Sequence, residues 1–178
     1  FGHVLDNLQK HFYTLVVSYS GFDETENTTF ISELDEVQKV ETYIKDRLHG
    51  NLFAAYGCSL GGSFVSLLVS RKNIHIDHAI IGSSDMDQTS KWVAKLETAI
   101  MMPIFYPLIT GKGGTLLKRV FEKKMNEGND SSDYIKKFMD MMGLNRGIDF
   151  SFISKESMKN QFCTDLYTPV GEHIEVPG

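Results

Sequence analysis

A mostly parallel α/β sheet with flanking helices, followed by a helical insertion, is the architecture this sequence predicts. Three observations carry it. Short runs of β-branched and aromatic residues recur at Phe12–Tyr19, Leu52–Tyr56 and His78–Gly82. Between them lie segments with apolar residues at helical spacing, and helical crossovers between buried strands imply parallel pairing. Beyond residue 87 the texture changes, and seven of the eight methionines fall within 88–168. The expected organisation is therefore a partial α/β core over 1–87, a helical cap or lid over 88–168, and a return towards the sheet over 169–178.

The elements follow in order. Val4, Leu5 and Leu8 mark the end of a short helix within 1–11. Phe12–Tyr19 is continuous and apolar, as suits a strand buried on both faces. Ser20-Gly21-Phe22-Asp23 breaks it. From Phe30 to Leu48 the apolar positions Ile31, Leu34, Val37, Val40, Ile44 and Leu48 predict an amphipathic helix with a charged outer face, closed by Gly50. A second strand at Leu52–Tyr56 runs into Gly57-Cys58-Ser59-Leu60-Gly61-Gly62, and Ser63–Ser70 reads as a buried helix. A third strand at His78–Gly82 ends in Ser83-Ser84-Asp85-Met86-Asp87. Helical patterns follow at 90–102, 114–126 and 131–142, separated by Pro103, Pro107, Gly111-Lys112-Gly113-Gly114 and Asn126-Glu127-Gly128-Asn129. A Met-rich helical layer is adaptable and apolar, suited to core filling or to a lid over an acyl pocket.

Composition excludes several classes. The 178 residues suffice for one real core, and the 42% hydrophobic and 23% charged content is that of a folded globular chain. The net charge of −5 comes with no basic stripe, so nucleic acid is not an expected partner. Two cysteines make no disulfide scaffold, and no Cys/His group has zinc spacing. No metal or organic cofactor is expected. The apolar runs Ile74–Ile81 and Ala99–Ile109 fall short of the roughly 18–20 residues of a membrane span. No targeting pattern is visible, so a cytoplasmic location is expected, and a homodimer is left open.

The chemistry lies in Gly57-Cys58-Ser59-Leu60-Gly61, which fits G-x-S-x-G directly after a strand and directly before a helix. A strand that turns into a helix within a few residues forces the central residue into a strained conformation, and side chains two positions either side are expected to collide, hence glycine. The serine hydroxyl is then held above the sheet's C-terminal edge, where the helix aims its first N–H groups. Two phosphate-binding readings are weaker. Gly57 and Gly62 have P-loop spacing, but Ser63-Phe64 stands where Lys-Ser/Thr is required. The dinucleotide fingerprint fails because Ser59 occupies its second glycine.

The order strand, Ser20-Gly21-Phe22-Asp23, helix, strand, Gly-Cys-Ser-Leu-Gly-Gly, helix, strand and helical cap resembles the α/β-hydrolase superfamily. The resemblance implies that Ser59 is the nucleophile and that the Leu60 N–H is half of an oxyanion hole. It also implies a second oxyanion donor on a loop after an earlier strand, with no counterpart ahead of Phe1, and a triad ordered Ser, Asp or Glu, His. The strands that carry the acid and the base are expected outside 1–178. Within the chain the acid candidates are Asp85 and Asp87, after the third strand, where a minority of such enzymes place it. An N-cap or a solvated loop is the competing role. His173 is the one histidine late enough in order to be the base, although no strand precedes it. His75 and His78 are read as packing or edge residues, His3, His11 and His49 come too early, and Cys58 is read as a buried thiol. The expected function is cleavage of an ester or related acyl bond in a small-molecule substrate, through an acyl-enzyme on Ser59. The alternatives are a catalytically silent binding protein on the same fold, or an acyl transferase or haloperoxidase-type activity.

Overall fold

The structure is a computed structural model that describes residues 2–84, 88–112 and 149–170. In chain order the elements are α1 (Gly2–Leu8), α2 (Glu33–Leu48), β1 (Asn51–Cys58), α3 (Leu60–Arg71), β2 (His75–Gly82), α4 (Lys91–Ile109) and α5 (Lys155–Tyr167). The expected helices at 114–126 and 131–142 lie outside the described residues.

Among the described residues the sheet is the parallel pair β1 and β2, in register from Asn51 opposite His75 to Cys58 opposite Gly82. The α3 helix is the crossover between them and packs on both strands. Its apolar residues Phe64, Leu67 and Leu68 meet Phe30 and Val37 in one core cluster, bordered by Tyr19, Phe22, Ile74 and Ile76. A second cluster joins Met102 of α4 to Ile153 and to Met158 of α5, and Phe22 borders both.

Residues 13–19 differ from the sequence expectation. They carry no regular structure, and Tyr13 is 80% exposed. Strand propensity is realised only where a neighbouring backbone offers a ladder of hydrogen bonds, and among the described residues nothing pairs with this segment. Its ends are held by rings instead: Phe12 stacks on Phe53 of β1 and Tyr19 on Phe64 of α3, at centroid distances of 5.4 and 4.2 Å.

Helix α2 begins three residues later than its apolar spacing suggests. The Ser32 hydroxyl accepts from the Asp35 amide and caps the first turn, while Phe30 turns inward and is fully buried. The expected C-terminal stop is present: His49 and Gly50 adopt φ of 54° and 77°, and the Gly50 amide donates to Ile44 O at 3.0 Å. The buried face is rotated from the expected one. Glu33, Glu36, Val37, Glu41 and Ile44 are buried, whereas Ile31 and Leu34 are exposed. Two of these acids have evident partners. Glu36 accepts from the Ser20 amide and from Lys39, and Glu41 receives Arg71 and Asn73.

Helix α4 runs through Pro103 and Pro107, where a stop was expected after residue 102. Each proline removes one intrahelical donor. Packing holds the last turns nonetheless: Tyr106 and Ile109 border the second cluster, and the Tyr106 hydroxyl donates to Ile153 O at 3.1 Å. At 19 residues and a mean hydropathy of 1.2, α4 also reaches the length and composition at which a helix can cross a membrane. One of its faces, with Ala94, Thr98 and Met102, is buried, whereas Trp92, Leu96, Ile100 and Ile104 are exposed.

Candidate active site

Ser59 is the hinge between β1 and α3, with φ 55° and ψ −126°, a backbone conformation that non-glycine residues avoid. Two backbone hydrogen bonds fix it. The Ser59 amide donates to Gly82 O, at the end of β2, at 2.9 Å, and the Gly62 amide donates to Ser59 O at 2.8 Å. The side chain is exposed, and among the described residues no other side chain bonds its hydroxyl. Leu60 opens α3, so its N–H belongs to the first turn, which has no intrahelical acceptor.

The glycines around the hinge have unequal reasons to be there. A Cβ at Gly57 would run into the carbonyl of Gly61. A Cβ at Gly62 would sit 2.5 Å from the Ser84 Cβ and 3.1 Å from Ile81 Cγ2. At Gly61, outside its own helix, a Cβ would meet only the Tyr19 hydroxyl, at 4.0 Å. The expected crowding on both sides of the serine is thus one-sided. Gly57 must be small because the Gly61 backbone folds back over it.

Gly21 supports the site from a distance. With φ of 76°, it brings the loop so close to α5 that a Cβ would overlap the Ser157 hydroxyl. The same hydroxyl accepts from the Phe30 amide at 3.2 Å, and Asn160 Nδ2 donates to Phe30 O at 3.0 Å. Tyr19, between this loop and Gly61, has its hydroxyl pushed up to about 12 by burial and then by the Glu33 and Glu36 carboxylates.

Asp85, Asp87 and His173 lie outside the described residues. Cys58, expected to be buried, is exposed, because no described residue covers that side of β1. His75 and His78 do not approach the hinge. His75, at the start of β2, pairs with Asp77 at 2.8 Å, and His78, level with Ala54, meets the Phe53 ring edge-on at 5.0 Å. Among the described residues no three His, Cys, Asp or Glu side chains converge as a metal ion would require.

A polar cluster behind the hinge was not foreseen. The Ser63 hydroxyl lies 3.2 Å from that of Ser84 and donates to Asp165 Oδ1 at 3.5 Å, and Glu33 faces Asp165. One signal was available: Glu33, Val37, Glu41 and Ile44 share one helical stripe, which the assumption of a charged outer face conceals.

No protein-family model and no curated protein matches the chain. Its structure is similar to the crystal structure of a Desulfitobacterium hafniense protein whose name places it in the alpha/beta hydrolase family, with a TM-score of 0.66 over 94% of this chain. The chain has the α/β-hydrolase fold. Sequence identity to that protein is 16%, and the chain spans 62% of its length. The α/β-hydrolase fold accounts for the parallel pair, its α3 crossover and the hinge at the C-terminal end of β1. The chemistry done on this scaffold is a separate matter.

Proposed function

We propose that the protein is a serine hydrolase that cleaves an ester or related acyl bond through an acyl-enzyme on Ser59. One observation carries the reading: an exposed serine held at positive φ between a strand and a helix, with its amide tied to the neighbouring strand. Strain of this kind persists only where surrounding structure enforces it, and it clusters at functional sites. A spacer between strand and helix has no need of it.

In this reading the Ser59 oxygen attacks the acyl carbon while its proton passes to a histidine outside the described residues. The Leu60 N–H stabilises the negative oxygen that develops. The proton then goes to the departing alcohol, and water repeats the sequence to release the acid. The helical segment after β2 acts as the cap over the acyl group, and α4 and the chain around Ile153 supply apolar and methionine side chains for it. The substrate is a small molecule with a modest apolar acyl group.

Turnover of short p-nitrophenyl acyl esters by the full-length protein tests this. Release of p-nitrophenol that is lost in Ser59→Ala, with the fold retained, is the expected result. Equal turnover by the variant, or tight binding of esters without release, points to the silent binding protein.

A further inference from the structure

Helix α4 carries apolar side chains on two opposite faces. Ala94, Thr98 and Met102 are buried, and Met102 joins Ile153 and Met158 in a core cluster. On the far side Trp92, Leu96, Ile100 and Ile104 follow one another at steps of four residues, and Ala99 and Pro103 widen the stripe. Every residue of this stripe is exposed, Trp92 at 72% and Ile100 at 60%. Single apolar side chains on a surface are ordinary, whereas a continuous stripe three turns long marks a surface that meets something apolar. Lys95 borders the stripe on one side and Glu97 on the other. Lys91 lies at its start, 5.3 Å over the Tyr167 ring, and Lys112 follows its end. Charge is concentrated in the same part of the sequence. Residues 91–125 hold seven lysines and arginines against two glutamates, so this stretch carries +5 in a chain of net −5, which leaves −10 for the remainder.

We propose that α4 docks its outer stripe on an anionic lipid bilayer, lying in the plane of the headgroups with Trp92, Leu96, Ile100 and Ile104 turned into the acyl boundary. Three features select this partner. An apolar stripe with lysines beside it finds hydrocarbon for the stripe and lipid phosphate for the ammonium groups in one surface. Trp92 stands at the end of the stripe, and an indole, apolar in body with one N–H, suits the boundary between acyl chains and water. The local excess of positive charge is drawn to anionic headgroups while the negative remainder of the chain is repelled, which turns α4 towards the lipid. The helix is long enough to cross a bilayer, but crossing would strip its buried face from α5 and Ile153 and carry Lys95 and Glu97 into hydrocarbon. Lying flat keeps the inner face packed. A second copy of the chain is a poorer partner, because two such stripes brought together also bring together two regions of like charge. Docking here does not depend on the role of Ser59.

Trp92 reports its own surroundings. The full-length protein is mixed with vesicles of phosphatidylcholine, alone or with phosphatidylglycerol added, and the emission of Trp92 is read as the difference between the wild type and Trp92→Phe. Without vesicles this emission is expected to be that of a water-exposed indole, quenched by iodide. With phosphatidylglycerol vesicles it should move to shorter wavelength, escape iodide, and accompany sedimentation of the protein with the lipid. Added salt should weaken the binding, and Lys95→Gln should weaken it about fivefold, the share of one lysine near an anionic surface. Ile100→Glu, at an exposed position, should leave the thermal midpoint in place and lower the affinity by roughly tenfold or more. Unchanged Trp92 emission and no sedimentation with phosphatidylglycerol vesicles overturn the proposal, as does equal binding to both kinds of vesicle. A Trp92 already shielded from iodide without lipid means that the protein covers its own stripe, and shielding that grows with protein concentration assigns the stripe to a second copy; either overturns it. The wild-type spectra decide between these outcomes even if Ile100→Glu does not fold.

Discussion

The Ser59 amide donates to the Gly82 carbonyl at 2.9 Å, so the hinge residue of one strand is fastened to the last residue of the next. This bond and the return of Gly62 onto Ser59 O hold a serine at φ 55° against its own preference. Ser59→Gly releases that strain. Chemical denaturation should show the variant more stable by about 1 kcal/mol, the strain outweighing the entropy lost to glycine, while ester turnover disappears. A fall in stability would mean that the serine is not strained.

The one-sided crowding at the hinge gives a paired prediction. Gly57→Ala forces a methyl into the Gly61 backbone and should cost about 3 kcal/mol or prevent folding. Gly61→Ala meets only the Tyr19 hydroxyl and gains helix propensity, so its denaturation midpoint should stay level or rise, within about 1 kcal/mol.

Ser157→Ala leaves the buried Phe30 amide without its acceptor and should destabilise by about 1–3 kcal/mol in urea. Among the described residues the loop from Gly21 to Phe30 is then tied to α5 only by the Asn160 bond to Phe30 O, and its amide protons should exchange faster. Unchanged exchange would show that α5 is not what fixes that loop.

The clamp between α2 and α3 makes stability depend on pH through Glu41. Burial raises the Glu41 carboxyl, but hydrogen bonds from Arg71 and Asn73 outweigh it and hold the group below its usual range. Its stabilisation is therefore present above the ordinary Glu pKa and lost as pH falls below it. Arg71→Met should cost about 1–3 kcal/mol at neutral pH, and its stability should decline less than the wild type's on acidification.

Most of the scaffold was legible in the sequence because it obeys local rules. The helix α3, both β-strands, the glycine stop of α2 and the G-x-S-x-G hinge follow from periodicity and turn chemistry. What the sequence hid depends on partners. Residues 13–19 have strand composition but no described neighbour to pair with. Glu33, Glu36 and Glu41 look like solvent-facing acids until Asp165, Ser20 and Arg71 arrive from distant parts of the chain. The prolines of α4 mark stops by local rules, and packing against the chain around Ile153 overrides them. At the site, Ser59 and its backbone were readable, whereas Asp85, Asp87 and His173 lie outside the described residues.

The central claim is that Ser59 is an activated nucleophile, and covalent labelling reads it most directly. A fluorophosphonate probe incubated with the full-length protein, followed by peptide mass spectrometry, should give one adduct, on the peptide that contains Ser59. The adduct should vanish in Ser59→Ala and in heat-unfolded protein. A folded protein that takes up no probe at Ser59, or takes it up at another serine with Ser59 intact, would contradict the account.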